Sequence, residues 1–180
     1  WNKPGGEPAA PSPELKEGPG GGKAAAFPGN KIAGADDPTL YQTVRYDLSA
    51  YRFKLPDGKY AVTLKFCEPH YTEAGKRVFG VRLQDKPVIE GLDIFAKVGQ
   101  NKALDYTFKD VEVRGGWLTV EFVPETEFPS IAAIAVEGPG GTKKVNCGGP
   151  AYKDYTADPP STRGAMPKDR FMPTGDFYAD

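Results

Sequence analysis

The sequence predicts an all-β fold, an antiparallel β-sandwich of the jelly-roll kind, and three observations carry that prediction. Apolar residues recur with a period of two through residues 51–66 and 117–123. The 22 Gly and 18 Pro of the 180-residue chain punctuate it into short segments. Ile131–Val136 is a continuous apolar run, as expected of a strand covered on both faces.

The elements follow in order. Residues 1–39 are rich in Pro, Gly and Ala with little to bury, and are expected to form a long Gly/Pro-rich loop. Within it, Gly20–Lys23 superficially suggests a phosphate loop, but Glu17 stands at the first glycine position and Ala24 replaces the Ser/Thr. The main sandwich strands are expected within 40–137. Tyr51, Phe53 and Leu55 alternate with Arg52 and Lys54 before the turn Pro56-Asp57-Gly58. Tyr60, Val62, Leu64 and Phe66 then share a face, leaving Ala61, Thr63, Lys65 and Cys67 on the other. Val78–Leu83 reads as another strand, and Val88–Phe95 as another extended stretch. Tyr106, Phe108, Val111 and Val113 continue the pattern, with an irregularity at Lys109-Asp110. Arg114-Gly115-Gly116 turns into Trp117–Val123, where Leu118, Val120 and Phe122 face inward.

Composition narrows the function. One domain of this length closes one real core. A net charge of −1 and a pI near 6.0 leave no basic footprint for nucleic acid. No apolar run reaches the ~20 residues that a membrane helix needs. The chain begins at Trp1 without signal peptide or initiator Met, which reads as a mature piece. The single His argues against a His-based metal site or triad. None of the four Asn begins an N-x-Ser/Thr acceptor.

Four pieces stand in order: Leu40–Tyr46 (LYQTVRY), Leu64–Glu68 (LKFCE), Arg77–Leu83 (RVFGVRL) and Leu92–Gly99 (LDIFAKVG). Together they resemble the malectin family of carbohydrate-binding domains. The resemblance implies a malectin-like, galactose-binding-like sandwich that holds a sugar in loops at one end. One departure is large. The family's opening strand, roughly Val-Asn-Ala-Gly-Gly, appears here at the far end as Val145-Asn146-Cys147-Gly148-Gly149. The chain therefore reads as one domain in circularly permuted order, with 138–144 a joining linker and 145–180 supplying the family's first strand and loop. The alternative is a domain lacking its first strand, followed by the start of a second copy. Cys67 and Cys147 both stand where the family commonly has Ala, so the two sulfurs either meet or sit as separate buried thiols. The pentapeptide Glu-Gly-Pro-Gly-Gly occurs at 17–21 and at 137–141, a repeat for which there is no physical account.

Sugar recognition needs aromatic faces against the C–H faces of the ring and planar polar groups for paired hydroxyls. The resemblance implies Tyr46 as one such aromatic, and places His70 and Tyr71 where the family has two adjacent aromatics. It places Glu127, two residues before Pro129, as the acid that accepts sugar hydroxyls, and Phe27 nearest the family's first-loop tyrosine. Bland readings stand beside these: a core tyrosine for Tyr46 and above all for Tyr41, and a solvated loop residue for Glu127. Arg45 and Glu68 are expected to pair or hydrogen-bond inside the fold, and Asp93 to accept backbone N–H groups. Asp154 and Asp158 read as loop residues, with a structural Ca²⁺ left open and no other cofactor or catalytic residue assigned.

The expected function is a non-catalytic carbohydrate-binding module, the accessory domain of a covalently attached or associated glycoside hydrolase, in an extracellular or periplasmic setting. Its partners are then a carbohydrate and that enzyme, with neither nucleic acid nor membrane. Two alternatives stay open. A glycosidase in its own right would need two carboxylates ~5–9 Å apart, drawn from Glu68, Asp93, Asp105 and Glu127. A structural or protein-interaction sandwich would need no sugar site at all.

Overall fold

The structure, a computed structural model, describes residues 15–159. In chain order its strands are β1 (Gly18–Ala26), β2 (Thr43–Lys54), β3 (Gly58–Phe66), β4 (Val78–Leu83), β5 (Lys86–Leu92), β6 (Leu104–Val113), β7 (Trp117–Thr126), β8 (Ser130–Ile131), β9 (Ala133–Gly138), β10 (Gly141–Asn146) and β11 (Thr156–Ala157). A 3-10 turn covers Pro38–Tyr41, and one short helix, α1, covers Ile94–Val98. One sheet runs β1-β2-β7-β4-β5, with β8 also on β2; the other runs β11-β10-β9-β3-β6. Every pairing is antiparallel except β10 with β11. The result is the β-sandwich that the alternation predicts.

The period-two residues face one another across the interior. Tyr60, Val62, Leu64 and Phe66 of β3, with Ile134 and Val136 of the neighbouring β9, share one core with Phe79 and Val81 of β4 and Leu118, Val120 and Phe122 of β7 in the other sheet. Each fully buried side chain of this size contributes about 1.5–3 kcal/mol relative to exposure. A second cluster lies beside the first: Ala25, Leu40, Tyr41, Val44, Cys67, Ala132, Ala133 and Tyr155, with Phe27 and Tyr46 packed against it. The irregularity expected at Lys109-Asp110 is present. Asp110 has φ 56°, and the β3–β6 register shifts between Tyr60 and Val62.

Three expectations need correction. Residues 18–26 belong to no loop; they form β1, an edge strand along most of β2. Glycine serves close approach there, because a Cβ on Gly22 would stand 2.5 Å from the Tyr46 carbonyl oxygen. Residues 138–144 are no loose linker either. They make a tight hairpin in which Gly141 pairs with Gly138 and Lys144 with Ala135. The extended stretch through Phe95 stops at Leu92, since the Asp93 carboxylate accepts the Ala96 N–H (3.0 Å) and starts α1. Ile94 is buried either way, and so short an apolar run reads equally as strand or helix. Of the two readings of the cysteines, separate buried thiols is the one found: Cys67 and Cys147 are both free, the first in the second cluster and the second in the main core.

Val145-Asn146-Cys147-Gly148-Gly149 is integral to the sandwich. Val145 and Asn146 pair with Ile134 and Ala133, and the Cys147 N–H donates to the Ala132 carbonyl (3.0 Å). Gly148, at φ 73°, passes so close to β2 that a Cβ would fall 2.0 Å from the Val44 oxygen. Asp158 locks this seam. It accepts from Arg45 Nε (2.6 Å), the Gly148 N–H (2.6 Å) and the Tyr51 hydroxyl (2.7 Å), its side chain only 2% exposed and that of Arg45 7%. Asp154 instead pairs with Lys144 (2.8 Å), so the two carboxylates weighed for Ca²⁺ are engaged by separate cations. Among the described residues no group of three or more His, Cys, Asp or Glu could hold a metal ion. The tail expected to continue the first-strand segment beyond residue 159 lies outside the described residues.

Candidate functional site

The β3–β4 connection holds Glu68, His70 and Tyr71, and its organiser is a buried charged pair. Glu68 is 1% exposed and Arg77 2%. Arg77 Nε donates to Glu68 Oε1 at 2.8 Å, which satisfies a charge that burial alone would not tolerate. The other carboxylate oxygen, Oε2, accepts from the backbone N–H groups of His70 (3.3 Å) and Tyr71 (3.4 Å). One buried carboxylate thereby fixes the backbone that carries both candidate rings.

The rings are then placed by contact. The Arg77 guanidinium carbon lies 5.2 Å from the centroid of the Tyr71 ring, within cation–π range. The His70 and Tyr71 rings meet edge to face, with centroids 4.7 Å apart. Both side chains remain half-buried. Burial raises the Tyr71 phenol above its ordinary pKa; the Arg77 charge opposes this, while Glu127 and Glu68 add to it. Burial likewise pushes the His70 imidazole down, with Glu68 and Arg77 acting in opposite directions.

A second loop closes on the same guanidinium. Arg77 Nη1 donates to the Phe128 carbonyl at 2.6 Å. The Phe128 ring lies 6.4 Å from that of Tyr46, at an interplanar angle of 41°. Tyr46 pairs with Ser130, and the Asp47 N–H donates to the Pro129 carbonyl (3.0 Å), so the 127–130 segment is strapped to β2. Glu127 is exposed with φ 56°, a left-handed backbone that a non-glycine residue adopts at some cost. Burial raises the Tyr46 phenol, Asp47 adds to this, and Arg77 opposes it.

Of the expected residues, Tyr46, His70, Tyr71 and Glu127 thus gather around Arg77. Phe27 stands apart from the guanidinium contacts: it packs on the second cluster, and its N–H donates to the Gln42 carbonyl (2.7 Å). Its loop does reach the site's backbone, because Asn30 Nδ2 donates to the Pro69 carbonyl (3.2 Å). Gln100 Nε2 donates to the carbonyls of Pro69 and His70, each at 3.3 Å. Sequence reasoning missed Arg77 and Phe128 as parts of the site. A signal existed for Arg77, a charge at the mouth of the apolar strand VFGVRL, which demands a buried partner. Arg45 and Glu68 are both internal, as expected, but with different partners, Asp158 and Arg77.

A hollow of about 510 Å³ lies elsewhere, lined by Tyr51, Phe53, Lys143, Lys144, Thr156 and Pro159 among others. None of the candidate residues lines it. Its lysines are engaged by Glu17 (2.6 Å) and Asp154 (2.8 Å).

A sequence profile described as the malectin domain matches residues 23–134, more than half of the chain and all of the candidate residues. The chain belongs to the malectin family. It is 36% identical to human malectin over 89 residues, 48% of this chain and 30% of that protein. With malectin of Danio rerio the identity is 33% over 117 residues, 56% of this chain and 41% of the relative. With Malectin-B of Xenopus laevis it is 30% over 106 residues, 57% and 38% respectively. The chain therefore spans well under half the length of these relatives. Among solved structures, a β-glucuronidase of Bacteroides uniformis superposes with a TM-score of 0.63 at 22% identity, covering 71% of this chain and 15% of the enzyme. The extracellular domain of ANXUR1 from Arabidopsis thaliana superposes at 0.57 with 16% identity, covering 82% and 43%. At these identities the likeness concerns the fold. The malectin-family match ends at 134, before the seam that β10 and Asp158 build.

Proposed function

We propose that this malectin-family domain binds an oligo- or polysaccharide without catalysing a reaction on it. The observation that carries the reading is the convergence on Arg77 of two loops, one bearing His70 and Tyr71 and the other bearing Glu127, beside Tyr46. Half-buried rings offer a stacking face to a pyranose, and an exposed carboxylate accepts its hydroxyls. Fixing these groups in advance lowers the entropy cost of binding. The decisive experiment is a glycan array on the intact chain followed by calorimetry on the best ligand. Y71A and E127Q should each weaken binding about tenfold or more, roughly 1.4 kcal/mol. Silence across the array, or affinities unchanged in both variants, would overturn the reading.

A glycosidase reading is disfavoured by the state of its carboxylates. Glu68 is locked in a buried ion pair, Asp93 caps α1 and accepts the Gly75 N–H, and Asp105 is held by Lys65 (2.8 Å) and the Tyr41 hydroxyl. That leaves Glu127 alone, where glycoside hydrolysis uses a pair. The accessory role beside a glycoside hydrolase, and an extracellular or periplasmic setting, belong to this proposal. Their support is that the fold recurs as a small part of a β-glucuronidase and in a plant extracellular domain. A linked module raises the effective concentration of enzyme on its polymer. Fusion to a hydrolase should therefore speed attack on insoluble polysaccharide and leave soluble substrates unaffected.

A further inference from the structure

Arg77 occupies an unusual place. It is buried to 2%, yet its guanidinium touches both loops on which the binding proposal depends. Its Nε meets Glu68, whose second oxygen holds the His70 and Tyr71 amides; its guanidinium carbon lies over the Tyr71 ring; its Nη1 meets the carbonyl of Phe128, the residue after Glu127. We propose that the Glu68–Arg77 pair is the positioning device of the sugar site, setting the Tyr71 ring and the Glu127 carboxylate in one fixed relation. This deepens the carbohydrate-binding reading and rests on it.

The geometry explains why this pair and no simpler one is needed. Arginine presents several donors in a rigid plane, so one side chain can bind two oxygens in different directions and still stack on a ring. Lysine offers one ammonium point and cannot hold Glu68, Phe128 and the Tyr71 face together. With the Arg77 guanidinium over one face of Tyr71, that face is closed to a sugar. The pair thus also sets the side from which the ligand arrives. On the second loop, the left-handed backbone at Glu127 persists only if its neighbours hold it, and the bond from Arg77 to the Phe128 carbonyl is such a restraint. Neither Glu68 nor Arg77 need touch the ligand; both act through Tyr71 and Glu127.

The test compares E68Q and R77K with wild type, using the best ligand from the array. E68Q is isosteric and keeps an oxygen for Arg77, while R77K keeps the charge and loses the fork, so neither depends on a large cavity. Both should bind at least tenfold more weakly at an unchanged far-ultraviolet spectrum. A double-mutant cycle separates positioning from general loosening. Because Arg77 acts partly through Tyr71, R77K should cost less affinity in a Y71A background than in wild type, the remainder being its hold on the Glu127 loop. A ligand-free readout accompanies this: amide exchange at His70 and Tyr71 should quicken in E68Q while amides of β3 stay protected. Wild-type affinity in both variants, or losses that simply add to that of Y71A, would overturn the positioning role. If wild type bound no glycan while the 70–71 amides still loosened in E68Q, the binding reading would fall and the sugar role of the pair with it, leaving a loop clamp.

Discussion

His70 shares its loop with Tyr71 and faces the charges of Glu68 and Arg77, and burial holds its imidazole below the ordinary histidine range. A histidine with a depressed folded value is more readily protonated in the unfolded chain. Its share of stability is therefore complete above the unfolded value of about 6.5 and is lost as pH falls through the lower folded one. Denaturation between pH 7 and pH 5 should show wild type losing more stability than H70Q; parallel curves would refute the assignment. Sugar affinity should fall over the same interval, since a second cation then sits beside Arg77. The thiols make a contrasting case. Burial, with Glu68 adding to it, pushes Cys67 up to about 12, and burial holds Cys147 well above the usual thiol range. Neither should react with a thiol reagent at pH 8 until the chain unfolds, and reductant should leave the melting temperature unchanged. Native-state labelling of one sulfur would contradict that. At this scale the resemblance pointed to Tyr46, His70 and Tyr71, which the structure brings together near Arg77, and to Phe27, which stands apart. Arg77 escaped because its role comes from three contacts to residues 68, 71 and 128, which no local pattern encodes.

Among the elements, β10 and the loop after it show how a short segment is secured. Six ladder pairs with β9 and a glycine against β2 set its place, and Asp158 closes the seam through Arg45, Tyr51 and Gly148. Removing Asp158 would strand the Arg45 guanidinium, 6% exposed, in the interior. D158A should cost about 3–5 kcal/mol, measured by urea denaturation, and a loss under 1 kcal/mol would show the pair to be worth no more than a surface one. G148A meets backbone rather than a yielding side chain, so it should destabilise at least as strongly. The strands with clean alternation, β3 and β7, were legible residue by residue. The Gly-rich strand β1 was not, because low strand propensity hid a segment whose pairing depends on close backbone approach to β2.

For the whole molecule, the order of strands along the chain matters less than the contacts they close. The β9 edge that ends the 40–138 stretch is covered by β10, and Val145 and Cys147 complete the main core. A chain ending at Gly138 should fail to give a cooperative thermal transition, and a separate peptide spanning 139–159 should restore one on mixing. A stable domain without that segment would show that the sandwich closes without β10. Without β10 the edge of β9 would stay open.

What the sequence alone settled was the β-sandwich, the inward faces of most strands and the family likeness, since period two and turn residues are local properties that survive in any context. Tertiary structure alone decided that β1 is a strand, that Cys67 and Cys147 lie in separate clusters, and that Arg45 and Glu68 find different partners. The reason is physical: desolvation of a charge and close passage of two backbones depend on what lies across the sheet, often more than a hundred residues away, as Asp158 lies from Arg45.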